Sequence, residues 1–181
     1  MAPLTRRVLV TGLALLGGCG GTGIAVPTPT TAQARPVEAN ATVEHVVDGD
    51  TIDVIIDGVE ERVRLIGIDT PEVAHDASGD RPAQAGECFG RQAQEFATSL
   101  LTVGTQVRIE RDVVARDDYG RLLGYVYRAS DGIFVNYEMV RQGYAQPLTI
   151  PPNVVHSELM VDAARRAEAG DAGLWSSCGA G

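Results

Sequence analysis

The stretch Arg62-Val63-Arg64-Leu65-Ile66-Gly67-Ile68-Asp69-Thr70-Pro71-Glu72 carries charge where a buried strand should have none. Apolar residues run through it, yet Arg64 sits inside the run, and Asp69 and Glu72 stand at its exit. Burying a guanidinium is costly unless an anion meets it, so this strand is built to hold one. Two other short stretches carry comparable groups: Asp48-Gly49-Asp50 upstream, and Asp117-Asp118-Tyr119-Gly120-Arg121 downstream. Each has a plainer reading on its own. Asp48-Gly49-Asp50 could be a turn, Asp69 a strand-end cap and Glu72 a solvated helix-start residue. Arg64 could pair with Glu61 or Asp53 across a hairpin, and Arg121 could merely come after a Tyr-Gly turn. His45, His75 and His156 stand at no metal-ligand spacing and read as surface or core residues. Tyr125 and Trp175 read as core packing.

The elements that must position these groups are legible from hydrophobic period and turn residues. Residues 42–47, 51–56 and 61–68 read as three strands, with Asp57-Gly58 as a hairpin turn. Residues 73–86 form a polar loop without period. Residues 87–101 read as a helix with Phe89, Ala93, Phe96 and Leu100 on one stripe. Strands at 105–112 and 121–128 come next, then a helix at 135–143 ended by Gly143 and a last helix at 155–170 ended by Gly170. Three meandering strands, a helix and two more strands give the order of an OB-fold. The expected class is therefore α+β: a five-stranded Greek-key β-barrel with three helices. Fold alone does not assign function.

Four stretches now coincide in order and with suitable spacing: Val46–Thr51, Arg62–Glu72, Asp117–Tyr127 and Val135–Ala145. Together they resemble the thermonuclease family, the staphylococcal-nuclease-like phosphodiesterases, over roughly residues 43–175. The resemblance implies a calcium-dependent nuclease acting on DNA or RNA and leaving 3′-phosphate ends. By matching motif, it implies that Arg64 and Arg121 are the catalytic arginines and Glu72 the catalytic glutamate. It gives Asp50 and Asp69 as calcium-binding carboxylates and Thr70 as the ligand through its backbone carbonyl. The chemistry agrees: carboxylates and a carbonyl are hard oxygen ligands suited to calcium. Guanidinium forks suit a phosphoryl group gaining charge. Tyr119 is expected to line the nucleotide site.

The chain also departs from that pattern. Asp118 stands where the family has a lysine before Tyr-Gly-Arg, and residues 145–153 lack the two tyrosines that the family carries after the Arg-Gln-Gly helix. Nucleotide contacts are thinner as a result. This leaves a second reading, a non-catalytic nucleic-acid-binding or scaffold lipoprotein, against which stand the retained Arg64, Glu72 and Arg121.

The bulk composition limits the setting. The chain has 181 residues, a formal charge of -9, and 15 basic residues that are all arginine. An acidic, lysine-free chain is a poor general nucleic-acid binder, because non-specific binding rests on phosphate neutralisation. Residues 1–18, with Arg6 and Arg7 before an apolar run from Val8 to Leu16, read as a signal peptide. Leu16-Gly17-Gly18-Cys19 resembles a lipoprotein box, with Cys19 lipidated; cleavage after Ala32-Gln33-Ala34 is the alternative. Residues 19–41, rich in Gly, Thr, Pro and Ala, read as a tether, and residues 42–178 as the folded domain. The expected protein is therefore exported and monomeric, anchored by lipid to the outer face of the cytoplasmic membrane or else secreted. In that compartment Cys88 and Cys178 are expected to form a disulfide.

Overall fold

The computed structural model describes residues 35–77 and 83–178. Cys19, the signal segment and most of the tether lie outside the described residues. Strands β1 (Ala41–Asp48), β2 (Thr51–Ile56), β3 (Val59–Leu65), β6 (Leu122–Arg128) and β5 (Gln106–Glu110) close a barrel in that order. Its interior is filled by aliphatic, mostly β-branched residues, among them Val43, Ile52, Val54, Val63, Leu65, Val107 and Val126, all fully buried. This fits the aromatic-poor composition; among the described residues Tyr125 is the aromatic residue of the buried core.

Two features of the register place the charged residues. In the antiparallel β2–β3 pair Thr51 opposes Arg64, and the Leu65 amide donates to the Asp50 carbonyl at 2.8 Å. In the parallel β3–β6 pair Arg64 lies beside Leu123, two residues beyond Arg121. One strand end thus collects groups from three separated stretches.

The expected strand at 61–68 is interrupted. Gly67 adopts φ 83° and turns the chain out of the barrel, a conformation in which a side chain is strained. Beyond the turn lies a separate short strand, β4 (Gly67–Asp69), paired antiparallel with β7 (Gln146–Leu148) so that Asp69 opposes Gln146. Asn136 secures this bend from α2 (Val135–Arg141). Fully buried, it donates through Nδ2 to the carbonyls of Ile66 and Gly124 at 2.9 and 3.3 Å, and its Oδ1 accepts from the Val126 amide.

Helix α1 (Gly90–Leu100) begins three residues later than its period predicts, with Phe89 at φ 73° before it. Its stripe holds, with Ala93 and Ala97 buried and Phe96 stacked on Tyr144. Helix α3 (Ser157–Ala169) packs through Met160, Ala163, Ala164 and Ala167. A fourth, short helix beyond the three expected, α4 (Leu174–Ser177), ends at Cys178. That residue is bonded to Cys88, with Cα atoms 5.8 Å apart, as expected from the cysteine pair.

Candidate active site

Arg64 is held on all sides. One guanidinium nitrogen donates to the carbonyls of Leu65 and Ile68 at 2.6 and 2.9 Å. The other donates to Asp69 Oδ1 at 2.9 Å and lies 3.0 Å from Asp50 Oδ2. Its side chain is 14% exposed. The plainer pairings are overturned: Asp53 takes Arg62, and Glu61 takes Arg116. The charge of Arg64 is therefore directed to the strand ends, where Asp50 and Asp69 converge.

Asp50 is buried and bonded on both oxygens, accepting from the Thr70 amide and the Thr51 hydroxyl at 3.0 Å each. Burial raises its pKa, with the Arg64 charge and the Thr70 amide pulling the other way. Asp48, two residues earlier, belongs to the same cluster. It accepts from the Gly49 amide at 2.7 Å, and its pKa is pushed up to about 7, first by burial and then by its contact with the Glu72 carboxyl. Glu72 itself is exposed to solvent. Gly49 packs directly on Thr70, where an added Cβ would lie 2.8 Å from Thr70 Oγ1. That hydroxyl is buried and has no hydrogen-bond partner.

The second wall comes from the segment before β6. Arg121 donates through Nε to Asp117 Oδ2 at 2.7 Å, and its backbone amide donates to Asp117 Oδ1 at 2.8 Å. Asp117 sits below the usual carboxylate range: partial burial raises it, but the bonds from Arg121 outweigh that. Arg116 ties this segment to β3, donating to both Glu61 oxygens and to the Gly120 carbonyl. Tyr119 stands 86% exposed with the Arg121 guanidinium 5.5 Å above its ring. A groove of about 450 Å³ joins the two walls and is lined by Arg64, Arg121, Arg116, Asp118 and Tyr119. Its far side is apolar: Leu148, Ile150, Pro151 and Pro152 occupy the region without tyrosines.

The structure thus brings Arg64, Asp50, Asp69 and Thr70 into one cluster, places Glu72 against Asp48, and sets Arg121 and Tyr119 in the groove that Arg64 also lines. The sequence reading missed Asp48, which resembles a turn residue, and Asp117 and Arg116, whose partners are set by tertiary contact. The histidines stay apart from the site: His75 bridges to Gln84, and His156 packs among Tyr125, Tyr127 and Phe134.

Among the described residues no three His, Cys, Asp or Glu side chains stand together in ligating geometry. The donors nevertheless fit a hard cation. All are oxygens, the Thr70 hydroxyl is an orphan, and Asp48 and Glu72 bring two carboxyls together.

Comparison with known proteins supplies the family. The family described as staphylococcal nuclease homologue matches residues 62–177, a stretch that begins after Asp50. The thermonuclease of Staphylococcus intermedius is 37% identical over 133 residues, covering 74% of each chain. That of Staphylococcus hyicus is 33% identical over 132 residues, covering 73% of each. Endonuclease YhcR of Bacillus subtilis is 34% identical over 127 residues, which are 70% of this chain and 10% of that longer protein. With its barrel, the matching family model and these relatives, the chain belongs to the staphylococcal nuclease family.

Proposed function

We propose that this protein is a calcium-dependent nuclease that hydrolyses phosphodiester bonds of DNA or RNA outside the cytoplasm and leaves 3′-phosphate ends. The observation that carries the reading is the shared groove. Arg64 on β3 and Arg121, just before the parallel-paired strand β6, line one cavity, and the Asp50–Asp69 cluster is bonded to Arg64. Family membership supports hydrolysis, as do the names of the relatives.

The residues divide the work by their chemistry. Asp50, Asp69 and the Thr70 carbonyl would hold the calcium ion, which when bound supplies Lewis-acid polarisation of a phosphoryl oxygen. Glu72, exposed at the edge of the cluster, orients the attacking water and accepts its proton. Asp48, its pKa pushed up to about 7 by burial and by the Glu72 carboxyl, lies against Glu72 at the edge of the cluster. Arg64 and Arg121 meet the negative charge that grows on the phosphoryl oxygens, their planar forks fixed in advance by Ile68, Asp69 and Asp117. Tyr119 offers an exposed ring to a base.

Export rests on the signal-like residues 1–18, and anchoring on Cys19. The test is incubation of the purified protein with DNA and with RNA, in calcium and in chelator. Cleavage in calcium alone, with 3′-phosphate ends on the products, is expected. Binding without cleavage in calcium would select the non-catalytic reading.

A further inference from the structure

Glu72 sits on a segment that belongs to no helix or strand, and its backbone is held from one place. The Glu72 amide donates to Glu87 Oε2 at 3.2 Å, and the Glu87 amide donates back to the Glu72 carbonyl at 2.8 Å. Gly90, the first residue of α1, abuts the same carbonyl so closely that a Cβ there would lie 2.2 Å from its oxygen. Further out, His75 and Gln84 exchange both backbone bonds, at 3.1 and 2.9 Å. The excursion between residues 72 and 87 is thus closed at its base by the Glu72–Glu87 pair.

One residue beyond Glu87, the chain is covalently tied. Cys88 is bonded to Cys178, which comes directly after α4. Helix α4 is itself fixed, since the Leu174 amide donates to the Gly143 carbonyl at 2.8 Å. Gly143 and Gly173 approach so closely that a Cβ on Gly173 would stand 2.3 Å from the Gly143 carbonyl oxygen. Three residues after Gly143, Gln146 pairs with Asp69. The disulfide therefore links the support of Glu72 to the sheet that carries Asp69. Each hydrogen bond contributes little net, and the disulfide adds a covalent tie one residue from Glu87.

We propose that Glu87 and the Cys88–Cys178 disulfide form a positioning clamp for Glu72, so that turnover depends on the oxidised state of that pair. The inference rests on the nuclease reading of the site. Glu87 is a positioning residue and touches no reacting atom. A dithiol opens the clamp by thiolate attack on one sulfur and then ring closure of the mixed disulfide. Two electrons and two protons pass to Cys88 and Cys178, which leave as thiols, and the dithiol ends as a cyclic disulfide.

The test compares the full chain oxidised, reduced with dithiothreitol, and as the variants Glu87→Ala and Glu87→Gln, at a temperature where near-UV circular dichroism shows all of them folded. Two quantities are measured: kcat and KM on DNA at saturating calcium, and amide exchange at Glu72 without calcium. Reduction and Glu87→Ala are each expected to lower kcat by about tenfold or more with KM changed by less than about twofold, because small displacements of a reacting group cost rate rather than binding. Exchange at Glu72 is expected to quicken in both. Glu87→Gln keeps an acceptor oxygen and is expected to recover most of kcat. Folded reduced protein with unchanged kcat and exchange would overturn the proposal, as would an effect on KM alone. If reduction unfolds the chain, Glu87→Ala tests the Glu87 contact with the disulfide intact, and the double variant Cys88→Ala/Cys178→Ala, measured at a temperature where it is folded, tests the disulfide. Unchanged kcat in both overturns the proposal. Absence of turnover in the oxidised wild type would refute the nuclease reading instead, while the exchange data would still report on the clamp.

Discussion

At Arg64 the shape of the side chain matters as much as its charge. Its two terminal nitrogens serve two carbonyls and two carboxylates at once, which a lysine ammonium on a flexible stem cannot reproduce. Arg64→Lys and Arg121→Lys are each expected to lower kcat/KM on DNA by about 100-fold, the scale seen when one preorganised donor to a developing charge is removed. Steady-state kinetics alongside near-UV circular dichroism checks this. Asn136 carries the opposite kind of importance, structural and remote from the chemistry. Asn136→Ala leaves the buried Val126 amide and Ile66 carbonyl without their side-chain partner, at about 1–3 kcal/mol for each orphaned group. A urea midpoint lowered by the equivalent of about 3 kcal/mol is expected, with the m-value unchanged. These two residues also differ in how far their sequence betrays them. An arginine inside an apolar run demands an anion wherever it occurs. An asparagine in Val135-Asn136-Tyr137-Glu138 looks like any solvated helix residue, and only the docking of α2 on β6 buries it.

Among the elements, the barrel strands were legible because their apolar period and the Asp57-Gly58 turn agree with the final pairing. The split of the third strand was not, since Gly67 in an apolar run carries no sign of its φ 83°. Strand β7 was missed for a related reason: three residues centred on Pro147 give no period, and their partner is β4, distant in sequence. The parallel β3–β6 pairing that brings Arg64 near Arg121 is a property of the closed barrel rather than of either strand. Between elements, ion pairs set the acid limit of the fold. Arg128 at the end of β6 holds the Asp131 carboxyl below its usual range, and Arg116 does the same to Glu61 on β3. A group depressed in the folded state binds its proton more readily when unfolded. Its contribution is therefore complete above the ordinary carboxylate value near 4 and is lost as pH falls below it. Burial moves Asp48 and Asp50 the other way, upward, so neither contributes to a loss of stability on acidification. Stability measured by urea is expected to fall between about pH 4 and pH 2, and Arg128→Gln is expected to flatten that fall. A curve for the variant parallel to the wild type would remove the Asp131 pair as its cause.

The whole molecule carries the wrong sign for its proposed substrate. Twenty-four acidic residues face 15 arginines, and loss of residues 1–18 would remove Arg6 and Arg7 without removing an acid. Many of the arginines are already neutralised: Arg62, Arg108, Arg116, Arg128 and Arg141 each pair with a carboxylate at 2.8 Å or less. Even the groove is mixed, with Asp118 on its wall beside the arginines. Such a surface repels a polyanion at long range and attracts it only within the cleft. Nucleic-acid binding by basic proteins weakens with salt because phosphate contacts release counterions. Here salt first removes the repulsion, as the Debye length shrinks from about 10 Å at 0.1 M to about 3 Å at 1 M. Contacts at Arg64, whose side chain is 14% exposed, are screened less than those of the open surface. Screening also relieves self-repulsion within the acidic domain. At fixed calcium, kcat/KM on DNA is therefore expected to hold level or rise between 0.1 M and 1 M sodium chloride, over the range in which a basic nuclease loses activity steeply. Initial rates across that range decide it, with Asp118→Asn as the control. A level or rising curve that turns downward on removing this one acid would trace the effect to the groove rather than to the net charge. A steep fall in the wild type itself would mean that a few arginine–phosphate contacts govern capture and that the acidic exterior has no part in it.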